Sequence, residues 1–124
     1  MISVTGTQFG TVELAGRSDV GDSVAYASYG PEDAPAVVVL GGISAHRFVC
    51  GDEDGTPGWW PGVVGQEAPL VPGPYRIIGV DYIGGAGASS GPSNGPGIPV
   101  VTTDDQADGV KAVLGQAGVQ PSEV

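Results

Sequence analysis

Apolar residues in this chain fall into three kinds of spacing. Residues 36–40 (Ala-Val-Val-Val-Leu) form a continuous apolar run without alternation, and residues 76–82 (Arg-Ile-Ile-Gly-Val-Asp-Tyr) form a second. Such runs predict strands buried on both faces, as in a parallel sheet flanked by helices. Residues 11–14 and 23–29 are short and rich in β-favouring types, with Gly16, Asp19, Gly21 and Asp22 between them, and they predict an antiparallel pair. Between residues 103 and 117 the spacing becomes helical: Ala107, Val110, Val113, Leu114 and Ala117 fall on one face. Thr103 is the expected N-cap, Asp104 and Asp105 suit the first turn, and Gly118 ends the helix. The order strand, strand, buried strand, glycine-rich loop, buried strand, glycine-rich loop, helix predicts the first half of an open α/β sheet.

Composition narrows the partners. The chain is long enough for one domain and has no linker that would divide it. Its 23 glycines and 11 prolines sit between the apolar runs, so the loops are long and the strands short. Net charge is −10, and the only cations are Arg17, Arg47, Arg76 and Lys111. With no basic stripe to neutralise phosphates, neither nucleic acid nor an anionic membrane surface is an expected partner. No stretch is long and apolar enough to span a bilayer. Cys50 has no second cysteine to pair with, and the first twenty residues lack the basic start and apolar run of a signal peptide, so a reducing cytoplasm is the expected compartment.

The glycine-rich segments carry the candidate chemistry. Gly41-Gly42-Ile43-Ser44-Ala45-His46 follows the first buried strand, and Gly58-Trp59-Trp60 with Val64-Gly65 comes next. A second block, Gly84-Gly85-Ala86-Gly87-Ala88-Ser89-Ser90-Gly91-Pro92-Ser93, follows the second buried strand, and Pro99-Val100-Val101-Thr102-Thr103 leads into the helix. In this order the four blocks resemble the N-terminal part of the homoserine O-acyltransferases, α/β-hydrolase-fold enzymes that move an acetyl or succinyl group from coenzyme A onto the hydroxyl of homoserine in methionine synthesis. The resemblance covers roughly residues 26–119, and Gly-Trp-Trp between two glycine-rich loops is its most specific part. The Gly-Gly-Ile-Ser-Ala-His form is similar to the branch that tends to use succinyl-CoA.

What the resemblance implies is the N-terminal half of an α/β-hydrolase sheet: an antiparallel strand pair, then parallel strands with a flanking helix, ending before the nucleophile elbow. Residues 1–124 are expected to be a single partial domain. Acyl transfer through a serine needs a base for the hydroxyl proton and hydrogen-bond donors aimed at the oxygen of the tetrahedral intermediate. In this fold one donor comes from the loop after the third strand. That loop here is Gly41-Gly42-Ile43, which makes the backbones of Gly41 and Gly42 the oxyanion-hole candidates. Loss of one such donor costs about 3 kcal/mol of transition-state stabilisation. The family's serine nucleophile and its aspartate and histidine partners lie beyond Val119, so no catalytic triad residue is expected within this chain. Homoserine and acetyl-CoA or succinyl-CoA are the implied substrates of the full-length enzyme, with acyl-CoA as co-substrate, no bound cofactor and a possible homodimer.

Other residues carry candidate chemistry of their own. Gly87-Ala88-Ser89-Ser90-Gly91 fits a nucleophile-elbow pattern, but Pro92, Gly95, Pro96, Gly97 and Pro99 follow where an elbow needs a helix at once. The same prolines argue against a dinucleotide fingerprint at residues 84–87. His46 and Cys50 could form a Cys-His pair, yet Asp52, Glu53 and Asp54 would raise the thiol's pKa, and a quiet cysteine is the expectation. That acidic stretch lacks the spaced ligands of a calcium loop, and no metal is expected. Trp59 and Trp60 are expected to pack beside the active-site loops. Two further readings stand beside the acyltransferase fragment: a fragment of a generic α/β-hydrolase or esterase, and a small noncatalytic binding module.

Overall fold

The computed structural model describes residues 7–14, 23–42, 45–51, 56–65, 67–83 and 102–120. Four strands and one helix appear in chain order: β1 (Gln8–Glu13), β2 (Ser23–Tyr29), β3 (Ala36–Val39), β4 (Arg76–Val80) and α1 (Thr103–Gln116). The strands form one mixed sheet in the order β1-β2-β4-β3. β1 and β2 are antiparallel, as are β2 and β4, whereas β3 runs parallel to β4 with Val38 opposite Ile78. The expected antiparallel pair followed by parallel strands is therefore present, with β1 beginning three residues earlier than the spacing indicated.

The period-two geometry of the strands divides the core between two faces. On one face Val24, Tyr26, Ala36, Ile78 and Val80 pack with Val113 of α1 and with Val119. On the other, Ala27, Tyr29, Val39 and Ile77 pack with Val49, Cys50 and Val64 from the long β3–β4 connection. A helix covers one side and a loop the other. Every residue of β4 is buried, Arg76 included, which explains its lack of alternation, and the strand ends at Val80, two residues before the expected Tyr82. β3 is less enclosed: Ala36 and Val39 are buried, Val37 and Val38 half-buried, and Leu40 lies past the strand and is 52% exposed. β3 stands at the end of the described sheet, and β4 is its only partner among the described residues. That free side is where the resemblance places the next strand.

The helix starts one residue earlier than expected. Thr102, not Thr103, is the N-cap: its hydroxyl accepts the Asp105 N–H at 3.2 Å, while the Asp105 carboxylate accepts the Thr102 N–H at 2.9 Å. Thr103 also has a capping-type residue three positions on, Gln106, but that amide is bonded to the Ile83 backbone, so the box closes on Thr102 and Asp105. At the other end Gly118 takes a left-handed φ of 74°, and the Val119 N–H bonds back to the Leu114 carbonyl at 2.9 Å in a Schellman arrangement that also buries Val119. The buried stripe of α1 is Asp105, Gly109 and Val113, and Ala107 faces solvent. Arg76, buried in β4, ties the helix to the sheet: Nε donates to Ser28 Oγ at 2.8 Å and a terminal nitrogen to the Ala117 carbonyl at 3.0 Å. Its charge thus meets the negative end of the helix.

Several expectations fall on other residues. Ser89, Ser90, the fingerprint at 84–87, the acidic turn at 52–54 and the Pro99–Val101 part of the approach to α1 lie outside the described residues.

Candidate active-site wall at the loop after β3

The loop leaves β3 at its C-terminal end, beside the end of β4, because the two strands are parallel and in register. Gly41 is therefore brought against Tyr82. The Tyr82 hydroxyl accepts the Gly41 N–H at 3.0 Å and donates to the Gly41 carbonyl at 2.6 Å. On its other side Gly41 faces Trp59: a Cβ at position 41 would sit 2.6 Å from the Trp59 ring and 2.7 Å from the Ala45 Cβ. Only glycine fits in that gap. Gly42 is exposed and has no atom within 4 Å of its would-be Cβ, and its carbonyl accepts the Ala45 N–H at 3.0 Å.

The rest of the connection is pinned to the same sheet end. Asp81, fully buried, accepts the Arg47 backbone N–H at 2.7 Å and forms an ion pair with the Arg47 guanidinium, which also lies 4.1 Å from the centre of the Phe48 ring. Trp59 donates its indole N–H to the His46 carbonyl at 2.8 Å and stacks on Trp60 with ring centres 5.7 Å apart. His46 Nδ1 accepts the Phe48 N–H at 3.2 Å. That bond ties the His46 ring to its own loop rather than to a partner cysteine.

Cys50 is buried in the loop-side core, and burial pushes its thiol up to about 12. It is not a nucleophile near neutrality. The shift also has a stability consequence. An unfolded thiol ionises near 9, whereas the folded one stays protonated to about 12, so the folded state binds more proton across that window and stability falls as pH rises from 9 toward 12. Cys50→Ala is expected to flatten this part of the stability–pH curve in urea melts. An unchanged slope would mean that Cys50 is solvated.

Between the loop and α1 lies a cleft of about 390 Å³ lined by Leu40, Gly41, Gly42, Tyr82, Thr103, Gln106 and Val110. Its walls are mostly apolar. Gln106 is not free to turn into it, because its amide accepts the Ile83 N–H at 2.9 Å and donates to the Ile83 carbonyl at 3.0 Å. The cleft joins both oxyanion-hole candidates to the first turns of the helix. Sequence reasoning singled out Gly41, Gly42 and the tryptophans, and it missed Tyr82, Gln106 and the Arg47–Asp81 pair. The available signal was the change from apolar to polar at Asp81-Tyr82, which ends a strand otherwise committed to the core. Among the described residues no group of three His, Cys, Asp or Glu could hold a metal ion, and no helix is long and apolar enough to cross a membrane.

No family model matches the chain. Curated relatives do. It is 36% identical over 95 residues to a homoserine O-succinyltransferase of Xanthomonas campestris pv. campestris, a match that covers 76% of this chain and 24% of that protein. Homoserine O-succinyltransferases of Laribacter hongkongensis and Comamonas testosteroni are 28% and 29% identical over 113 and 121 residues, matches covering 79% and 86% of this chain and 30% of each relative. The chain thus spans about a quarter to a third of the length of these relatives. Among solved structures, esterase E22 matches 91% of the chain with a TM-score of 0.71 at 19% identity, and a homoserine O-acetyltransferase from Staphylococcus aureus matches 93% with a TM-score of 0.68 at 23% identity. These likenesses cover 38% and 37% of the two structures and concern the fold. The chain is therefore a homologue of the homoserine O-acyltransferases over most of its length, folded as part of an α/β-hydrolase domain.

Proposed function

We propose that residues 1–124 form the N-terminal part of an acyl-CoA:homoserine O-acyltransferase, inactive by itself, and that they supply the first half of its sheet and one wall of its active site. The observation that carries this reading is the 36% identity over 95 residues with the Xanthomonas campestris succinyltransferase. The names of the relatives favour succinyl-CoA over acetyl-CoA as donor, in agreement with the Gly-Gly-Ile-Ser-Ala-His form of the loop.

In the reaction a serine hydroxyl from the remainder of the enzyme attacks the thioester carbonyl. Its proton passes to a base, the C–S bond breaks, and coenzyme A leaves as a thiol. The homoserine hydroxyl then attacks the acyl-serine ester and releases the serine. Each attack places negative charge on the carbonyl oxygen, and an N–H of the Gly41-Gly42 loop is suited to meet it from the β3 side. A mostly apolar cleft beside that loop would strengthen such a hydrogen bond by excluding water. A cytoplasmic location agrees with a lone buried thiol and with acyl-CoA as co-substrate.

A chimera tests the proposal. Residues 26–119 of this chain replace the matching segment of the Xanthomonas campestris enzyme, and release of coenzyme A thiol is followed with and without homoserine. Homoserine-dependent release, faster from succinyl-CoA than from acetyl-CoA, is the expected result. A folded chimera that hydrolyses simple esters but leaves homoserine unacylated would point to an esterase instead.

A further inference from the structure

Tyr82 is none of the triad types Ser, His and Asp, yet its hydroxyl engages both polar groups of Gly41. A phenol has one proton to donate and lone pairs to accept with, so it can hold an N–H and a C=O together, and a phenylalanine can hold neither. The opposite side of Gly41 is closed by the Trp59 ring, which is itself fixed to the His46 carbonyl. Arg47, the next residue, is bound to Asp81, the neighbour of Tyr82. Two consecutive residues at the end of β4 therefore grip the loop at two points, Gly41 and Arg47.

Gly42 is placed differently. It lines the cleft with Tyr82, it is exposed, and its N–H has no hydrogen-bond partner among the described residues. We propose that Tyr82 is a positioning residue: its hydroxyl fixes Gly41 as the anchor of the loop and takes up its amide, so that of these two glycines it is Gly42 that keeps an N–H to offer an oxyanion. The catalytic half of this statement rests on the acyl-transfer reading above. The clamp on Gly41 does not.

Hydrogen exchange of the full chain, read residue by residue, tests the clamp without any activity. In the unaltered chain the Gly41 amide is expected to exchange about tenfold or more slower than that of Gly42. Tyr82→Phe keeps the ring and should abolish that difference while the amides of Ile77 and Ile78 keep their protection. Equal exchange at Gly41 and Gly42 in the unaltered chain overturns the clamp. So does a uniform acceleration across the sheet in the variant, which would make Tyr82 a packing residue. In the chimera, Tyr82→Phe should lower kcat about tenfold with the KM for homoserine unmoved, because a loosened donor misplaces only the reacting oxygen. An unchanged kcat beside lost Gly41 protection overturns the catalytic half. A chimera inactive even with Tyr82 intact counts against the functional reading, and hydrogen exchange still decides the clamp.

Discussion

Arg47→Met should destabilise the folded chain by about 3 kcal/mol, toward the lower end of what breaking a buried ion pair costs. The Asp81 side chain is wholly buried, whereas that of Arg47 is 21% exposed, so the substitution removes the partner that reaches solvent and leaves its counter-charge inside. Methionine retains the backbone N–H that Asp81 Oδ1 accepts and most of the aliphatic stem, but not the guanidinium that lies over the Phe48 ring. What disappears is the positive charge. If charge is the cause, Arg47→Met combined with Asp81→Asn should regain most of the loss, since the amide oxygen can still accept the backbone N–H and no buried charge remains. Urea unfolding at fixed protein concentration, followed by the fluorescence of Trp59 and Trp60, measures both. A double variant as unstable as Arg47→Met alone would show that packing around the stem, not the ion pair, holds the loop.

The same pair marks where sequence reading stopped. The framework was legible because it follows from local patterns: β2 spans residues 23–29 as the β-favouring run indicated, and β4 is buried throughout as its lack of alternation indicated. The helix was legible in place but not in orientation. Its buried stripe passes through Asp105 and Gly109, types that no hydrophobic pattern selects. Asp105 is covered because it completes the capping box, and Gly109 because a Cβ there would lie 3.2 Å from a Val24 methyl. Of the candidate site, Gly41 and Gly42 were found through the resemblance, and the groups that hold them were not. Tyr82 lies 41 residues from Gly41, and Asp81 lies 34 from Arg47. No spacing rule connects them. Only the parallel pairing of β3 with β4, which carries both C-terminal ends to one edge, brings them together.

That pairing also leads to the prediction with the largest visible effect. A polypeptide of residues 1–124 is expected to self-associate at micromolar concentration through the free side of β3. The strand presents unpaired backbone groups on that side among the described residues, its side chains are Ala36, Val37, Val38 and Val39, and exposed Leu40 continues the apolar surface. Sheets that end in solvent usually blunt the edge with lysine, proline or a bulge. β3 carries no charge and no proline, and its register with β4 runs unbroken from Ala36 to Val39. In an α/β-hydrolase sheet the fifth strand pairs with the third, so a polypeptide extended through that strand should lose the behaviour. Sedimentation at several concentrations compares the two. Concentration-dependent oligomers from 1–124 and a monomer, or a closed assembly of fixed size, from the extended form are expected, because in that fold the next strand would fill the edge. A monodisperse monomer of 1–124 with a cooperative melting transition would show that the edge is already covered.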